Sequence, residues 1–382
     1  MRAAAALLSL LAVFSAGPAF AQAPAPAEPA TIATTVPAPG ISAASGILVT
    51  GDGSILWSKD PKARRAIAST TKILTALIAI EENPPAEIVT ASARAEAVGA
   101  NDPLITELEL TAGERLTVEQ LLYGLLLPSG SDAAIALAEH TAGSVDGFAE
   151  LMNARAKQLG ALDSNFTNPE GLDDPGAYST AYDLALITRA AMNNELFRTI
   201  VGTATHEIPW PGRPAPRKLV NRNVLLGRLP GVTGVKTGNT RQAGLSLVAS
   251  ASRDGEDRIS VILGSPDPFA ESQRVLEFGF DAFKRISIVE ANRPWGQLTY
   301  GDGTTFSLVP SQEVKVLIGA SSPAPNARYR PDGSVLVVDV PGGLTIPLDL
   351  RCGEGPCRAP RSRRSALAVL ISLFAPVLSA LR

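Results

Sequence analysis

The run Ile73-Leu-Thr-Ala-Leu-Ile-Ala-Ile80 is apolar around the full circumference of a helix. Such a helix has no face to offer water, so other elements must cover it on every side. That demands a layered domain with a large core. The chain can supply one: it has 382 residues, 45% hydrophobic and 19% charged, enough for two domains. The formal net charge of -3 gives no reason to expect a nucleic-acid partner.

The termini differ in character from the middle. Arg2, the apolar stretch Ala3 to Phe14 and the small-x-small site Ala19-Phe20-Ala21 predict a secretory signal peptide over 1–21. A retained membrane anchor is the alternative, though the apolar run is short for a span. Residues 22–40 carry prolines 24, 26, 29, 37 and 39 and predict an extended tether. Export permits disulfides, so Cys352 and Cys357 suggest a small loop staple, with two free thiols as the other reading. In the tail over 353–382, Arg361, Arg363 and Arg364 precede the apolar stretch Ala366 to Leu381. That pairing predicts association with a membrane surface, spanning or interfacial, with a tail packed on the protein itself as the alternative.

Between these ends, Gly46 to Thr50, the turn Gly51-Asp52-Gly53 and Ile55 to Trp57 predict a β-hairpin. Thr117 and Gln120 form a capping-box pattern for a helix ending near Leu127. Pro128 and Gly130 break it, and Asp132 to His140 resumes a helical pattern, as does Thr180 to Asn193. Three strand-like runs follow, 231–237, 245–252 and 259–263, with Gly255 in the last turn. Their short connections imply antiparallel neighbours. A helix around Glu271 to Phe283 completes an α/β layered domain over 41–285. Strand-like runs near 297–300, 304–309, 313–318, 334–340 and 344–349, punctuated by Asp302-Gly303, Asp332-Gly333 and Gly342-Gly343, predict a small all-β domain over 286–352.

Candidate chemistry rests on three short patterns. Ser69 and Lys72 lie three apart, so in a helix they share a face. Burial and the helix N-terminus both push a lysine toward the neutral amine that can take a serine proton. A helix-capping serine beside a solvated lysine would read the same way. Ser129-Gly130-Ser131 presents a serine in a break between helices, where it can relay a proton or merely punctuate. Lys236-Thr237-Gly238 ends a strand whose edge can pair with an extended peptide. There the lysine and hydroxyl can receive a carboxylate and Gly238 admits a close backbone, or the lysine simply protects an edge. Only two histidines, His140 and His206, are present, so a histidine base is poorly supplied, and no zinc spacing is found.

The three patterns in this order resemble the Ser-x-x-Lys, Ser-x-Asn and Lys-Thr-Gly set of penicillin-binding proteins and β-lactamases. Their surroundings sharpen the match: Ala68-Ser-Thr-Thr-Lys-Ile-Leu-Thr-Ala-Leu77, Pro128-Ser-Gly-Ser-Asp-Ala-Ala-Ile135 and Gly234-Val-Lys-Thr-Gly-Asn-Thr-Arg-Gln-Ala-Gly-Leu245. With Phe166-Thr-Asn-Pro-Glu-Gly-Leu172 and Tyr178-Ser-Thr-Ala181, the chain resembles the low-molecular-weight D-alanyl-D-alanine carboxypeptidases, over roughly 42–285. The resemblance implies a β-lactamase/transpeptidase-like domain, an antiparallel sheet flanked by helices. It implies Ser69 as nucleophile on the carbonyl between the last two D-alanines of a peptidoglycan stem peptide, Lys72 as base and Ser129 as proton relay. Lys236 and Thr237 would hold the carboxylate side, Gly238 and Ser131 would line the substrate, and the N–H groups of Ser69 and Asn239 would form the oxyanion hole. β-Lactam antibiotics would be covalent inhibitors, no metal or organic cofactor is implied, and the site would face the outside of the plasma membrane.

Two departures qualify the match. Ser131 stands where the family has an asparagine, whose amide reaches farther and both donates and accepts. Many relatives carry a carboxylate-binding arginine aligned near Gly264 to Glu271, and this chain has none there. No Glu-x-x-Leu-Asn lies between Ser129 and Lys236, which disfavours a class A β-lactamase. A D,D-endopeptidase, or a weakly catalytic or non-catalytic wall-binding scaffold on the same fold, are the competing readings.

Overall fold

Leu247, Val248 and Ala249 are consecutive residues of one strand and all three are fully buried. Consecutive strand residues point to opposite faces, so the sheet holding them must be covered twice. The computed structural model describes residues 35–99, 105–294, 296–299, 305–310 and 313–322, and the strand segments 326–330, 335–339, 344–347, 350–352, 355–356 and 370–372. The expected signal peptide, most of the expected tether, Cys357 and nearly all of the 353–382 stretch therefore lie outside the described residues.

In chain order the elements are β1 (Ser45–Thr50), β2 (Ile55–Lys59), α1 (Lys72–Glu82), β3 (Ile88–Thr90), α2 (Ala93–Ala97), β4 (Arg115–Thr117), α3 (Val118–Leu126), α4 (Ser131–Ala142) and α5 (Val145–Gln158). Next come α6 (Ala181–Met192), α7 (Glu195–Val201), β5 (Thr205–Ile208), β6 (Arg217–Val220), β7 (Val232–Thr240), β8 (Gly244–Arg253), β9 (Glu256–Leu263), α8 (Pro268–Asp281) and β10 (Phe283–Val289). A five-stranded sheet runs in the order β2-β1-β9-β8-β7, every neighbour antiparallel. The N-terminal hairpin closes onto β9 across some two hundred residues, with Ser45 opposite Leu263 and Thr50 opposite Arg258.

Alternation sorts the sheet residues between two cores. Ile47, Val49, Val248, Ile259 and Val261 face the cluster built by α1 and α3 to α7. Leu48, Leu247, Ala249, Ala251 and Ile262 face the other, where Val275, Leu276 and Phe278 of α8 cover them. α1 sits inside the first cluster with every residue from Lys72 to Ala79 buried, as its all-round apolar pattern requires. The capping box at Thr117 is formed, its hydroxyl accepting from Gln120 N and the Gln120 side chain accepting from Thr117 N.

The expected change of domain at 285 falls inside a strand. β10 pairs with Val314–Gly319, and Leu317 packs into the α8 core, so the polypeptide leaves the first core gradually. Beyond it, Gly296–Thr299 pairs with Thr305–Pro310, and Asn326–Arg330, Val335–Asp339 and Leu344–Pro347 form a three-stranded sheet. Leu370–Ser372, within the tail, pairs antiparallel with Gln297–Thr299. Among the described residues no helix is long and apolar enough to cross a membrane.

Candidate active site

Ser69 lies in a single 3-10 turn, Ala68–Thr71, that runs straight into α1. The turn begins from a strained backbone: Ala68 has φ 51°. It leaves Ser69 half-buried and puts its Oγ 2.9 Å from Lys72 Nζ. Lys72 is 0% exposed and spends its other donors on the Glu170 carbonyl at 2.7 Å and Ser131 Oγ at 3.3 Å. Burial pulls its pKa from 10.5 to about 8; Glu170 and Asp132 partly oppose that pull, and Arg222 adds to it.

The loop after α5 fixes the far side of Lys72. Pro169 O accepts from Thr75 Oγ1 at 2.7 Å, one turn along α1 from the Glu170 contact. Asn168 Oδ1 accepts from Gly171 N at 2.7 Å and from Leu172 N at 3.1 Å. Gly171 has φ 80°, and a Cβ there would stand 2.1 Å from the Ala68 carbonyl oxygen. Only glycine lets this loop lie against the Ser69 turn. The Glu170 carboxyl is itself buried, its Oε2 has no hydrogen-bond partner, and burial raises its pKa against the pull of Lys72.

Ser129 and Ser131 enter from the break between α3 and α4. Ser129 has φ 76° and is 4% exposed, and among the described residues its hydroxyl has no hydrogen-bond partner. Asp132, at the start of α4, accepts from Leu108 N at 2.7 Å, Leu110 N at 3.1 Å and Ala133 N at 2.8 Å. Ser131 N donates to Thr106 O at 2.8 Å, which ties the 106–110 segment to the break. Ser131 Oγ thus meets Lys72 directly, at 3.3 Å.

β7 supplies the third wall and is the edge of the sheet. Gly238 differs from expectation. A Cβ on it would meet the Ile67 carbonyl at 3.0 Å and Ala68 Cβ at 3.2 Å, so its bare backbone admits the Ser69 turn rather than substrate alone. Lys236 also differs. It is 1% exposed, and its Nζ donates to Thr237 O at 3.1 Å. Burial first, and then Lys72 and Arg222, hold its pKa well below the ordinary lysine value. Neither lysine lines the cleft. A cleft of about 520 Å³ is lined by Ser69, Ser129, Ser131, Thr237, Gly238 and Asn239, with Arg222 among the further residues around it.

Both histidines are elsewhere. His206 stacks on Tyr123 with ring centroids 3.6 Å apart, and His140 pairs with Glu87. Among the described residues no group of His, Cys, Asp and Glu is placed to hold a metal ion. In the stretch from Gly264 to Glu271, the Glu271 carboxylate is committed to Ala43 N at 3.1 Å and Ser265 Oγ at 2.7 Å. The sequence reading missed Glu170 and Arg222. Glu170 sits inside the quoted Phe166–Leu172 motif, whereas nothing in the neighbours of Arg222 points to the cleft.

Residues 32–267 match the family model described as D-alanyl-D-alanine carboxypeptidase. The chain belongs to that family. It is 32% identical over 293 residues to the D-alanyl-D-alanine carboxypeptidase DacF of Bacillus subtilis, covering 72% of each chain. A Streptomyces D-alanyl-D-alanine carboxypeptidase is 35% identical over 268 residues, 66% of this chain and 91% of the relative. Among solved structures, penicillin-binding protein 5 from Haemophilus influenzae superposes with a TM-score of 0.70 at 30% identity, covering 83% of this chain and 98% of that one. Most of the chain thus shares a carboxypeptidase-family fold, with an antiparallel sheet that has helices on both faces.

Proposed function

We propose that the protein is a serine D-Ala-D-Ala carboxypeptidase that removes the terminal D-alanine from peptidoglycan stem peptides and is acylated by penicillins. The observation that carries this reading is Ser69 Oγ at 2.9 Å from the amine of a fully buried lysine, at the mouth of a cleft along a free sheet edge. With its pKa near 8, Lys72 is neutral in a substantial fraction of molecules at physiological pH and accepts the Ser69 proton. Oγ attacks the carbonyl between the two D-alanines. The N–H groups of Ser69 and Asn239 receive the developing oxyanion. As the C–N bond breaks, the proton held by Lys72 reaches the departing amine through Ser129. Water then splits the ester, releasing the shortened peptide and restoring the serine.

The substrate lies as an added strand on β7, with Thr237 at its carboxylate side. Lys236, buried beneath, supports this wall through its Nζ bond to the Thr237 carbonyl rather than by direct contact. Ser131 holds Lys72 in place but reaches the substrate less well than an amide would. The targeting segment and the basic, apolar tail support a location outside the cytoplasm, at the membrane face. Incubation with a pentapeptide ending in D-Ala-D-Ala is expected to release D-alanine. Release only from cross-linked dimers would replace the reading with an endopeptidase. Rapid turnover of penicillin would replace it with a β-lactamase, and no release with no penicillin label would leave a scaffold.

A further inference from the structure

We propose that a cavity between the end of α6, α7 and the sheet is a second binding site, which takes the phosphate of a phosphorylated sugar on Arg189 and Arg198. The inference is independent of the carboxypeptidase reading, since none of its residues lines the Ser69 cleft.

The cavity holds about 420 Å³, within the range of small-molecule sites. It opens where α6 gives way to α7, over Thr233 of β7, Ser250 of β8 and Ile259 of β9. β8 passes both sites. Ser246 lines the Ser69 cleft and Ser250 lines this cavity, four residues on, roughly 13 Å at about 3.3 Å per residue. The two sites are separate, and one strand carries both.

Two guanidiniums are held in place there and left without an anion. Arg189 is half-buried, and its Nε donates to the Gly51 carbonyl at 3.1 Å. Its guanidinium lies on the β1–β2 turn, where a Cβ on Gly53 would stand 2.4 Å from Nη1. Arg198 Nη1 donates to the Met192 carbonyl at 2.6 Å, at the end of α6. Among the described residues these are the only hydrogen bonds of either guanidinium, and neither joins an ion pair. A guanidinium has five N–H donors, so each keeps most of them for a ligand. Capping α6 accounts for one bond of Arg198 and leaves its remaining donors without an acceptor.

The rest of the lining fits a phosphorylated sugar. Thr233 Oγ1 and Ser250 Oγ lie 2.7 Å apart, and Ser250 is 2% exposed, so a buried hydroxyl pair forms part of the wall. One hydroxyl hydrogen joins the pair, and the other is left to donate to a ligand. Asp257 is the one carboxylate in the lining and pairs with neither arginine, so two positive charges face one negative. That balance favours an anion. A carboxylate satisfies one guanidinium fork, whereas a phosphate has three strong acceptor oxygens to divide between two. Asp257 and Asn193 supply acceptors and donors for sugar hydroxyls, and Met192, Ala251 and Ile259 give the ring an apolar floor.

Isothermal titration of the intact protein with glucose 6-phosphate, glucose and inorganic phosphate tests this. Glucose 6-phosphate is expected to bind at least about 10-fold tighter than either of the others, since it alone engages both the arginines and the wall. Arg189→Gln and Arg198→Gln are each expected to weaken it about 10-fold and the paired variant about 100-fold, with penicillin labelling of Ser69 unchanged. Should Arg189→Gln lose its fold by circular dichroism, Arg198→Gln and Ser250→Ala carry the comparison. Protein already acylated by penicillin is expected to bind the sugar phosphate as before. Loss of binding on acylation places the probe in the Ser69 cleft and overturns the proposal. So does the absence of saturable binding, or binding that neither arginine variant weakens. Equal binding of glucose overturns the role of the arginines, and equal binding of inorganic phosphate overturns that of the sugar. Methyl glucoside 6-phosphate separates two sources of the ligand: undiminished binding assigns the phosphorylated end of a glycan, and weaker binding a free sugar phosphate. Binding of the sugar phosphate to a protein that takes no penicillin sinks the hydrolase reading alone.

Discussion

The pH dependence of acylation is set by how Lys72 is buried. Its amine must be neutral to accept the Ser69 proton, and burial brings its pKa from 10.5 to about 8. Below that value each pH unit leaves about tenfold less neutral amine, so at pH 7 roughly one molecule in ten is competent. The second-order rate of labelling by a fluorescent penicillin is therefore expected to rise about tenfold per unit up to pH 7, then level off above pH 8. Stopped-flow fluorescence between pH 5 and 10 reads this directly. The neighbours supply an internal control with opposite signs. Glu170 holds the lysine pKa up and Arg222 pushes it down. Glu170→Gln should move the break to lower pH and Arg222→Ala should move it to higher pH. A flat profile, a break near the ordinary lysine value, or shifts of the same sign in both variants would refute the assignment of Lys72 as base.

Three further outcomes test the scaffold of the site. Gly171→Ala places a Cβ 2.1 Å from the Ala68 carbonyl at φ 80°, so it should shift the Ser69 turn and slow acylation about 100-fold, as an ångström of misplacement does; near-wild-type labelling would contradict the close approach. Glu114 and Arg217 form an ion pair at 2.9 Å with side chains only 3% and 5% exposed. Glu114→Ala should cost about 3–5 kcal/mol in urea unfolding because it strands the arginine, and a loss under about 1 kcal/mol would show that water reaches it. Ser131→Asn should raise D-alanine release by restoring an amide at that position, and unchanged turnover would remove that explanation for the departure.

Much of the site was legible because its parts are local. Ser69 and Lys72 are three residues apart, and the all-round apolar run after them could only become a buried helix. The capping box at Thr117 and the break at Pro128 likewise depend on neighbours in sequence, and both are where the pattern puts them. What the sequence concealed depends on contacts across long separations. β1 pairs with β9, and no local pattern encodes that partnership. Gly238 lines the cleft and also lies against the Ile67 carbonyl, a contact no local pattern encodes. Glu170 and Arg222 acquire meaning only when the fold brings a loop and the segment after β6 beside Lys72. The expected change of domain at 285 falls within Phe283–Val289, which alternates like any strand, while its partner lies near 314–319.

The central claim is that Ser69 becomes covalently acylated. Intact protein treated with a penicillin, digested and sequenced by mass spectrometry, is expected to carry one adduct, on Ser69. Ser69→Ala is expected to carry none while keeping its fold. An adduct on another residue, or an unlabelled Ser69 in folded protein, would contradict the account.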